Sequence, residues 1–169
     1  METIELQNVG SAEWEAVLDG ETQAWGAAGE EFSWADKERH VAVCDEAGQP
    51  VALAGAMIAH VSAAGEAFPV VGIGGVIVTR MLRGRGLARR VIEAIMDIAG
   101  ELGPERAMLF CGEDLTVLYA RFGFRPIEAP VSAEQPAGRV VMPMRAMWAP
   151  LADGTDWPAG DVAVQGLPF

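Results

Sequence analysis

The chain has 169 residues, 51% of them hydrophobic and 21% charged, which suits one domain with a real core and excludes a disordered chain. No apolar run approaches the roughly 18 residues that a membrane span needs. With 24 acidic and 12 basic residues the net charge is −12, so nucleic acid, whose phosphates repel such a chain, is excluded as a favoured partner.

In chain order, Thr3 to Val9 alternates weakly and predicts a first strand. Ser11 to Gly29 mixes Trp14, Val17, Leu18 and Trp25 with carboxylates, as short amphipathic helices do. Arg39 to Asp45 and Val51 to Ser62 are β-type runs on either side of the turn composition Glu46 to Pro50. A second turn at Ala63 to Glu66 leads into Phe68 to Val78, an apolar run broken by Gly72, Gly74 and Gly75, and the three runs predict an antiparallel meander. Leu87, Val91, Ile95, Ile98 and Leu102 lie on one helical face, with Glu93, Asp97 and Glu101 opposite, and Gly103-Pro104 ends that helix. Ala107 to Cys111 predicts a buried strand, Leu115 to Phe122 a short helix, and Phe124 to Glu128 and Val140 to Met147 two more strands. The tail from Trp148, rich in Pro, Gly and Asp, predicts an ordered surface wrap. This order describes an α+β domain, a mixed sheet with helices packed on it, spanning 1–169 with a core over about 3–147 and a tail over 148–169.

Charge is unevenly spread. Residues 1–38 hold ten carboxylates and one base, Lys37, whereas Arg80, Arg83, Arg85, Arg89 and Arg90 crowd into eleven positions. The run from Val76, Ile77 and Val78 through Arg83, Gly84, Arg85 and Gly86 to Leu87 and Ala88 passes from strand to turn to helix. Glycine permits backbone geometries closed to other residues, and a helix start aims unpaired N–H groups at the turn. Together these are the physics of a phosphate cradle. A solvated helix start or an ordinary glycine turn are the alternatives. A Walker loop is excluded, since no Gly-Lys-Ser/Thr follows, and a dinucleotide fingerprint fits poorly after a meander.

Here the sequence resembles the GCN5-related N-acetyltransferases (GNAT), whose pyrophosphate motif Gln/Arg-x-x-Gly-x-Gly/Ala is met by Arg83, Gly84, Arg85, Gly86, Leu87 and Ala88. The resemblance implies the GNAT fold, a mostly antiparallel mixed sheet with splayed central strands. It also implies acetyl-CoA as co-substrate, held at the six motif residues and by Val76, Ile77 and Val78, which match the strand that pairs with the pantetheine arm. Tyr119, the only tyrosine, lies in Leu118-Tyr119-Ala120-Arg121-Phe122-Gly123-Phe124, which resembles the family's Leu-Tyr-x-x-x-Gly-Phe motif. Without that match it reads as a core aromatic on a short helix. With it, Tyr119 is expected to act as general acid, protonating the departing thiolate. No base is evident: where many relatives carry a glutamate, this chain has Gly72-Ile73-Gly74-Gly75.

Asp156-Trp157-Pro158-Ala159-Gly160-Asp161-Val162 looks like the ending of the aminoglycoside 2′-N-acetyltransferases, and Glu31-Phe32-Ser33 resembles their N-terminal element. That resemblance implies a cationic small-molecule amine as acceptor, with Glu31 and Asp156 as its contacts. The chain departs from that group in having Gly74-Gly75-Val76 for Glu-Gly-Val and in continuing from Ala163 to Phe169. Another polyamine, metabolite or protein amine, or a non-catalytic coenzyme A sensor, are the competing readings. His40 and His60 read as structural, and Cys111 as a small buried hydrophobe. Cys44 and Cys111 are far apart and lack metal spacing, so no metal and no disulfide are expected. Reduced cysteines and an N-terminus without signal-peptide character point to a cytoplasmic protein. The Met-rich segment Met142 to Trp148 is a candidate contact for a homodimer.

Overall fold

The computed structural model describes residues 1–169, apart from the side chain of Ala28. Its elements are β1 (Glu2–Leu6), α1 (Ser11–Leu18), α2 (Gly26–Glu30), β2 (Arg39–Cys44), β3 (Pro50–Ala63), β4 (Glu66–Val78), α3 (Leu87–Glu101), β5 (Arg106–Cys111), α4 (Thr116–Ala120), β6 (Arg125–Pro126), β7 (Val131–Ala133), β8 (Val140–Val141), β9 (Arg145–Pro150) and β10 (Val162–Val164). Short 3₁₀ turns at Arg80–Leu82 and Glu113–Leu115 precede α3 and α4. Among the described residues no helix is long and apolar enough to cross a membrane.

The meander forms as the sequence predicts. β1 to β4 pair antiparallel in chain order. Ala63 faces Glu66 across a two-residue turn in which Ala64 and Gly65 both take positive φ, 51° and 79°. That backbone matches the right-handed twist of a tight hairpin. β4 then runs through α3 to β5, which lies parallel beside it, and β9 and β6 continue the sheet on that side.

α3 buries Leu87, Val91, Ile92, Ile95, Ile98 and Ala99. It packs on Val71 and Ile73 of β4 and on Ala52, Ala54 and Ala56 of β3, whose small side chains let the helix approach closely. On the opposite face, Val17 of α1 packs on Leu53 and Ile77. Further along that face lies a second core containing Trp148, Met108 and Phe169. Burial on both faces explains the near-continuous apolar character of β3 and β4.

Three expectations need correction. The tail is more than a surface wrap: β10 pairs with the far end of β3 and with β7, and Val162, Val164 and Phe169 are buried. β3 is long enough to hold β2 along one half and β10 along the other, a division that local patterning does not reveal. The segment Met142 to Trp148 spends much of its apolar surface inside the chain, because β9 lies between β5 and β6 and Met142, Ala146, Met147 and Trp148 are buried, which leaves Pro143 exposed and Met144 half-buried. Finally, the strand expected over Phe124 to Glu128 shrinks to β6.

Candidate active site

The central strands part. β4 pairs with β5 only from Val71 to Ile73, opposite Ala107 to Leu109. Beyond that point Gly74, Ile77 and Val78 keep their pairing with β3, Phe110 and Cys111 keep theirs with β9, and a gap opens between. The departure coincides with a bulge. Gly55 faces Gly74 but Leu53 faces Ile77, so β4 carries an extra residue there. Gly75 supplies the turn of backbone at φ 61°, and a Cβ on it would meet Trp14 of α1 at 3.0 Å. Gly74, Gly75 and Val76 are thus partly exposed, between the buried stretches Val70 to Ile73 and Ile77 to Val78 of the same strand.

At the mouth of the gap lies the arginine–glycine turn. Gly84 and Gly86 take φ of 77° and 80°, and added Cβ atoms would meet nothing within 4 Å, so these glycines serve backbone geometry and leave open space. Gly86 is the N-cap of α3 and has no side chain to close the helix start. The first bond of the helix runs from the Arg90 N–H to the Gly86 carbonyl at 3.2 Å, so the N–H groups just before it face outward without helical partners. Open N–H groups at a helix start are what a backbone anion site is built from.

The arginines divide. Arg83 donates from Nε to the Val78 carbonyl at 3.0 Å, and its guanidinium grips both oxygens of Glu21 at 3.1 and 2.5 Å. Arg89 pairs with Glu93, and Arg90 donates to Thr3 Oγ1. The crowding of arginine is therefore partly structural, and among the described residues Arg80 and Arg85 are the two of the five without a side-chain partner.

Tyr119 stands at the other wall. Its ring is 6% exposed and meets Phe124 edge to face at 5.9 Å. It belongs to the core on the α3 face, with Leu109 and Cys111 at the diverging end of β5. Burial raises the phenol's pKa well above its ordinary value, and the Cys111 thiol adds to this; burial likewise pushes that thiol up to about 11. Both groups are protonated near neutral pH.

The opposite face of the gap carries groups that sequence reasoning missed. Lys37 lies across β3 and β4: a Cβ at Gly55 would sit 2.6 Å from its Cγ, and one at Gly74 would sit 2.9 Å from its Cε. Phe169 covers Gly72, where a Cβ would sit 2.4 Å from the ring, and packs on Phe110 at 5.5 Å. The glycines of β4 are thus spaces for Lys37 and Phe169, and the available signal was compositional, since Lys37 is the only lysine in the chain.

The two acidic candidates part company. Glu31 is exposed at the end of α2, three residues before Trp34, which packs edge to face on Phe110 beside the gap. Asp156 instead sits by Arg106, whose Nε donates to its carbonyl at 2.8 Å. Arg106 opens β5 at the end still paired with β4, so Asp156 lies at the wrong end of the strand to share a site with Glu31.

Residues 6–124 match the model of the acetyltransferase (GNAT) family. No curated protein matches the sequence. Among solved structures, a GNAT family N-acetyltransferase (YhbS) from Escherichia coli in complex with CoA is 20% identical, with a TM-score of 0.65 over 98% of this chain and 94% of its own. Escherichia coli ElaA is 16% identical, with a TM-score of 0.58 over 88% and 98%. An acetyltransferase of the GNAT family from Staphylococcus aureus is 11% identical, with a TM-score of 0.56 over 89% and 100%. The parted strands, the uncapped helix start beside them and the family match over most of the chain lead to one conclusion: this chain belongs to the acetyltransferase (GNAT) family, whose co-substrate is acetyl-CoA.

Proposed function

We propose that this N-acetyltransferase acetylates a primary amine of a small cationic molecule, with 2′-amino aminoglycosides the first class to test. The observation that carries the proposed site is the gap between β4 and β5 running up to the open N–H groups of α3. In this reading the diphosphate of acetyl-CoA lies on the turn formed by Arg83, Gly84, Arg85, Gly86, Leu87 and Ala88. Its pantetheine arm pairs along Val76, Ile77 and Val78, whose β5 side has no strand neighbour. The thioester then reaches the region between Gly74 and Tyr119.

The acceptor amine attacks the thioester carbon, and outward N–H groups of the splayed strand hold the oxyanion. Tyr119 gives its proton to the sulfur as coenzyme A leaves. The phenol is protonated at neutral pH and so has the proton to give, and its burial makes it a weaker acid in the free enzyme. Aligning amine and thioester in a shared gap supplies much of the remaining acceleration. Glu31 and the acidic N-terminal segment attract a cationic acceptor; Asp156, at the far end of β5, takes no part in this scheme.

The test is thiol release from acetyl-CoA across a panel holding a 2′-amino aminoglycoside, one lacking that amine, spermidine, lysine and a short peptide. Selective turnover of the 2′-amino compound supports the reading. Turnover of polyamines alone rejects the antibiotic class, and binding of acetyl-CoA with no turnover on any amine rejects the reading as a whole.

A further inference from the structure

An amine reaches the enzyme mostly as its ammonium ion and attacks only as the free base, so the transfer needs a proton acceptor. β4 offers none where it leaves β5, since residues 72–75 are Gly, Ile, Gly and Gly. We propose that Lys37, acting as a neutral amine, is the general base of this transferase. The inference rests on the amine-transfer chemistry above and adds the group that chemistry lacks.

Geometry is the first support. The Lys37 side chain leaves the loop before β2, passes over Gly55 of β3 and carries its Cε over Gly74 of β4, at the point where β4 leaves β5. It therefore heads from the closed part of the sheet toward the gap. It lies on the face that holds Phe169 and Phe110, whereas Tyr119 belongs to the α3 face. A thioester threaded between the strands would have the acid on one side and the base on the other.

The second support is that the fold is shaped around this side chain. Glycine inside a strand is destabilising. Two glycines nonetheless face each other across β3 and β4: a Cβ on Gly55 would collide with Lys37 Cγ and Cβ, and one on Gly74 would meet the Phe169 backbone carbon at 2.7 Å and Lys37 Cε at 2.9 Å. The loop is also tied down: the Ala35 N–H donates to the Pro168 carbonyl at 2.7 Å, and Lys37 Nζ donates to the Ala35 carbonyl at 2.6 Å. One N–H is thus engaged, and a neutral amine in that pose keeps its lone pair for a proton.

Protonation state is the third support. Burial pushes the Lys37 amine down to about 8, and the Asp36 carboxylate on its own loop opposes this. From β2 the facing titratable group is His40, itself held low by burial and by Lys37. β3 and β4 present Gly55 and Gly74, and the tail presents the Phe169 ring over Gly72 and, over Gly74, the carboxyl carbon and oxygen of Phe169, the last residue of this chain, a charge that favours the ammonium form.

The protons balance. The Lys37 lone pair takes one proton from the bound ammonium. The free amine forms the C–N bond, and the C–S bond breaks. The second proton of that nitrogen replaces the one Tyr119 gives to the sulfur. The products are the amide, coenzyme A thiol and Lys37 ammonium, which returns its proton to solvent.

A single lysine makes the test clean. In the full chain labelled with ¹⁵N at the lysine Nζ and saturated with coenzyme A, the one side-chain signal is expected to titrate near 8; titration near the ordinary 10.5 overturns the proposal whatever the acceptor. On an amine that the panel shows to be acetylated, Lys37→Met and Lys37→Arg are each expected to lower kcat by about 10²- to 10⁴-fold, because neither side chain can take a proton at working pH. Coenzyme A affinity, measured on the same variants, stays as in the parent chain. Trimethylamine, which accepts a proton but forms no stable amide, is expected to restore turnover to Lys37→Ala in proportion to its concentration. A Lys37→Met enzyme with the parent rate and the parent pH profile overturns the proposal. Failure of the parent chain on every amine counts against the acceptor reading instead, and leaves the lysine titration to judge Lys37.

Discussion

A residue kept for chemistry in a half-buried place should weaken the fold that holds it, and Lys37 gives that idea a magnitude. Its amine falls from the ordinary 10.5 to about 8 in the folded chain. At 1.36 kcal/mol for each pH unit, the folded state disfavours the charged form by about 3 kcal/mol. Between pH 8 and 10.5 the unfolded chain binds more protons at this site than the folded chain does. Stability therefore rises with pH across that window, and the full penalty is present below it. Lys37→Met keeps the length and apolar stem of the side chain and removes the charge. It is expected to stabilise the protein by about 2–3 kcal/mol at pH 7, the loss of the bond to the Ala35 carbonyl offsetting part of the gain. The advantage should shrink to about zero near pH 10, where the remaining penalty of about 0.8 kcal/mol is offset by the lost hydrogen bond. Urea unfolding of both proteins at pH 7, 9 and 10 measures this difference directly. A variant less stable than the parent by the same amount at every pH would refute the reasoning, since it would make Lys37 a packing residue with an unperturbed amine.

Other outcomes follow from the same geometry. Gly86→Ala places a Cβ in open space but forces φ of 80° on an L-residue, at about 1–2 kcal/mol; Tm is expected to fall by about 2–8 °C and coenzyme A affinity with it, read by a thermal melt and calorimetry. Tyr119→Phe preserves the buried ring and its contact with Phe124, so acetyl-CoA binding should hold while kcat drops by about 10²-fold or more; an unchanged rate removes the general acid. Glu21→Gln releases the Arg83 guanidinium at a stability cost of less than about 1 kcal/mol, and coenzyme A should bind a few-fold more tightly with a steeper salt dependence; an unaltered affinity would confine Arg83 to a structural role.

Periodicity and turn chemistry made much of the fold legible in the sequence. The α3 stripe, the Ala64-Gly65 hairpin and the glycines of the Arg83 to Ala88 turn each carry a local rule that the structure obeys. What local rules could not carry was long-range pairing. β10 finds β3 about a hundred residues away, and Phe169 lands on Gly72, because a strand in the meander is longer than its neighbour and leaves an edge to fill. The glycines at 72 and 74 read as breaks in an apolar run, yet they are the imprint of side chains from distant segments. For the same reason Lys37 looked like one base among carboxylates, and Asp156, whose motif says nothing of which end of β5 it meets, was grouped with Glu31. The arginine cluster was visible, but its division between Glu21, Glu93, Thr3 and solvent depends on packing partners remote in sequence.

The central claim is that the turn from Arg83 to Ala88 grips a diphosphate beside the parted strands. Calorimetric titration of coenzyme A against pantetheine, which keeps the thiol arm and lacks the diphosphate, tests it most directly. Saturable heat is expected with coenzyme A, weakened by added salt, and binding at least about tenfold weaker with pantetheine, as loss of charge-assisted hydrogen bonds worth about 1.5–3 kcal/mol each requires. Equal affinity for the two ligands, or no heat with either, would contradict it.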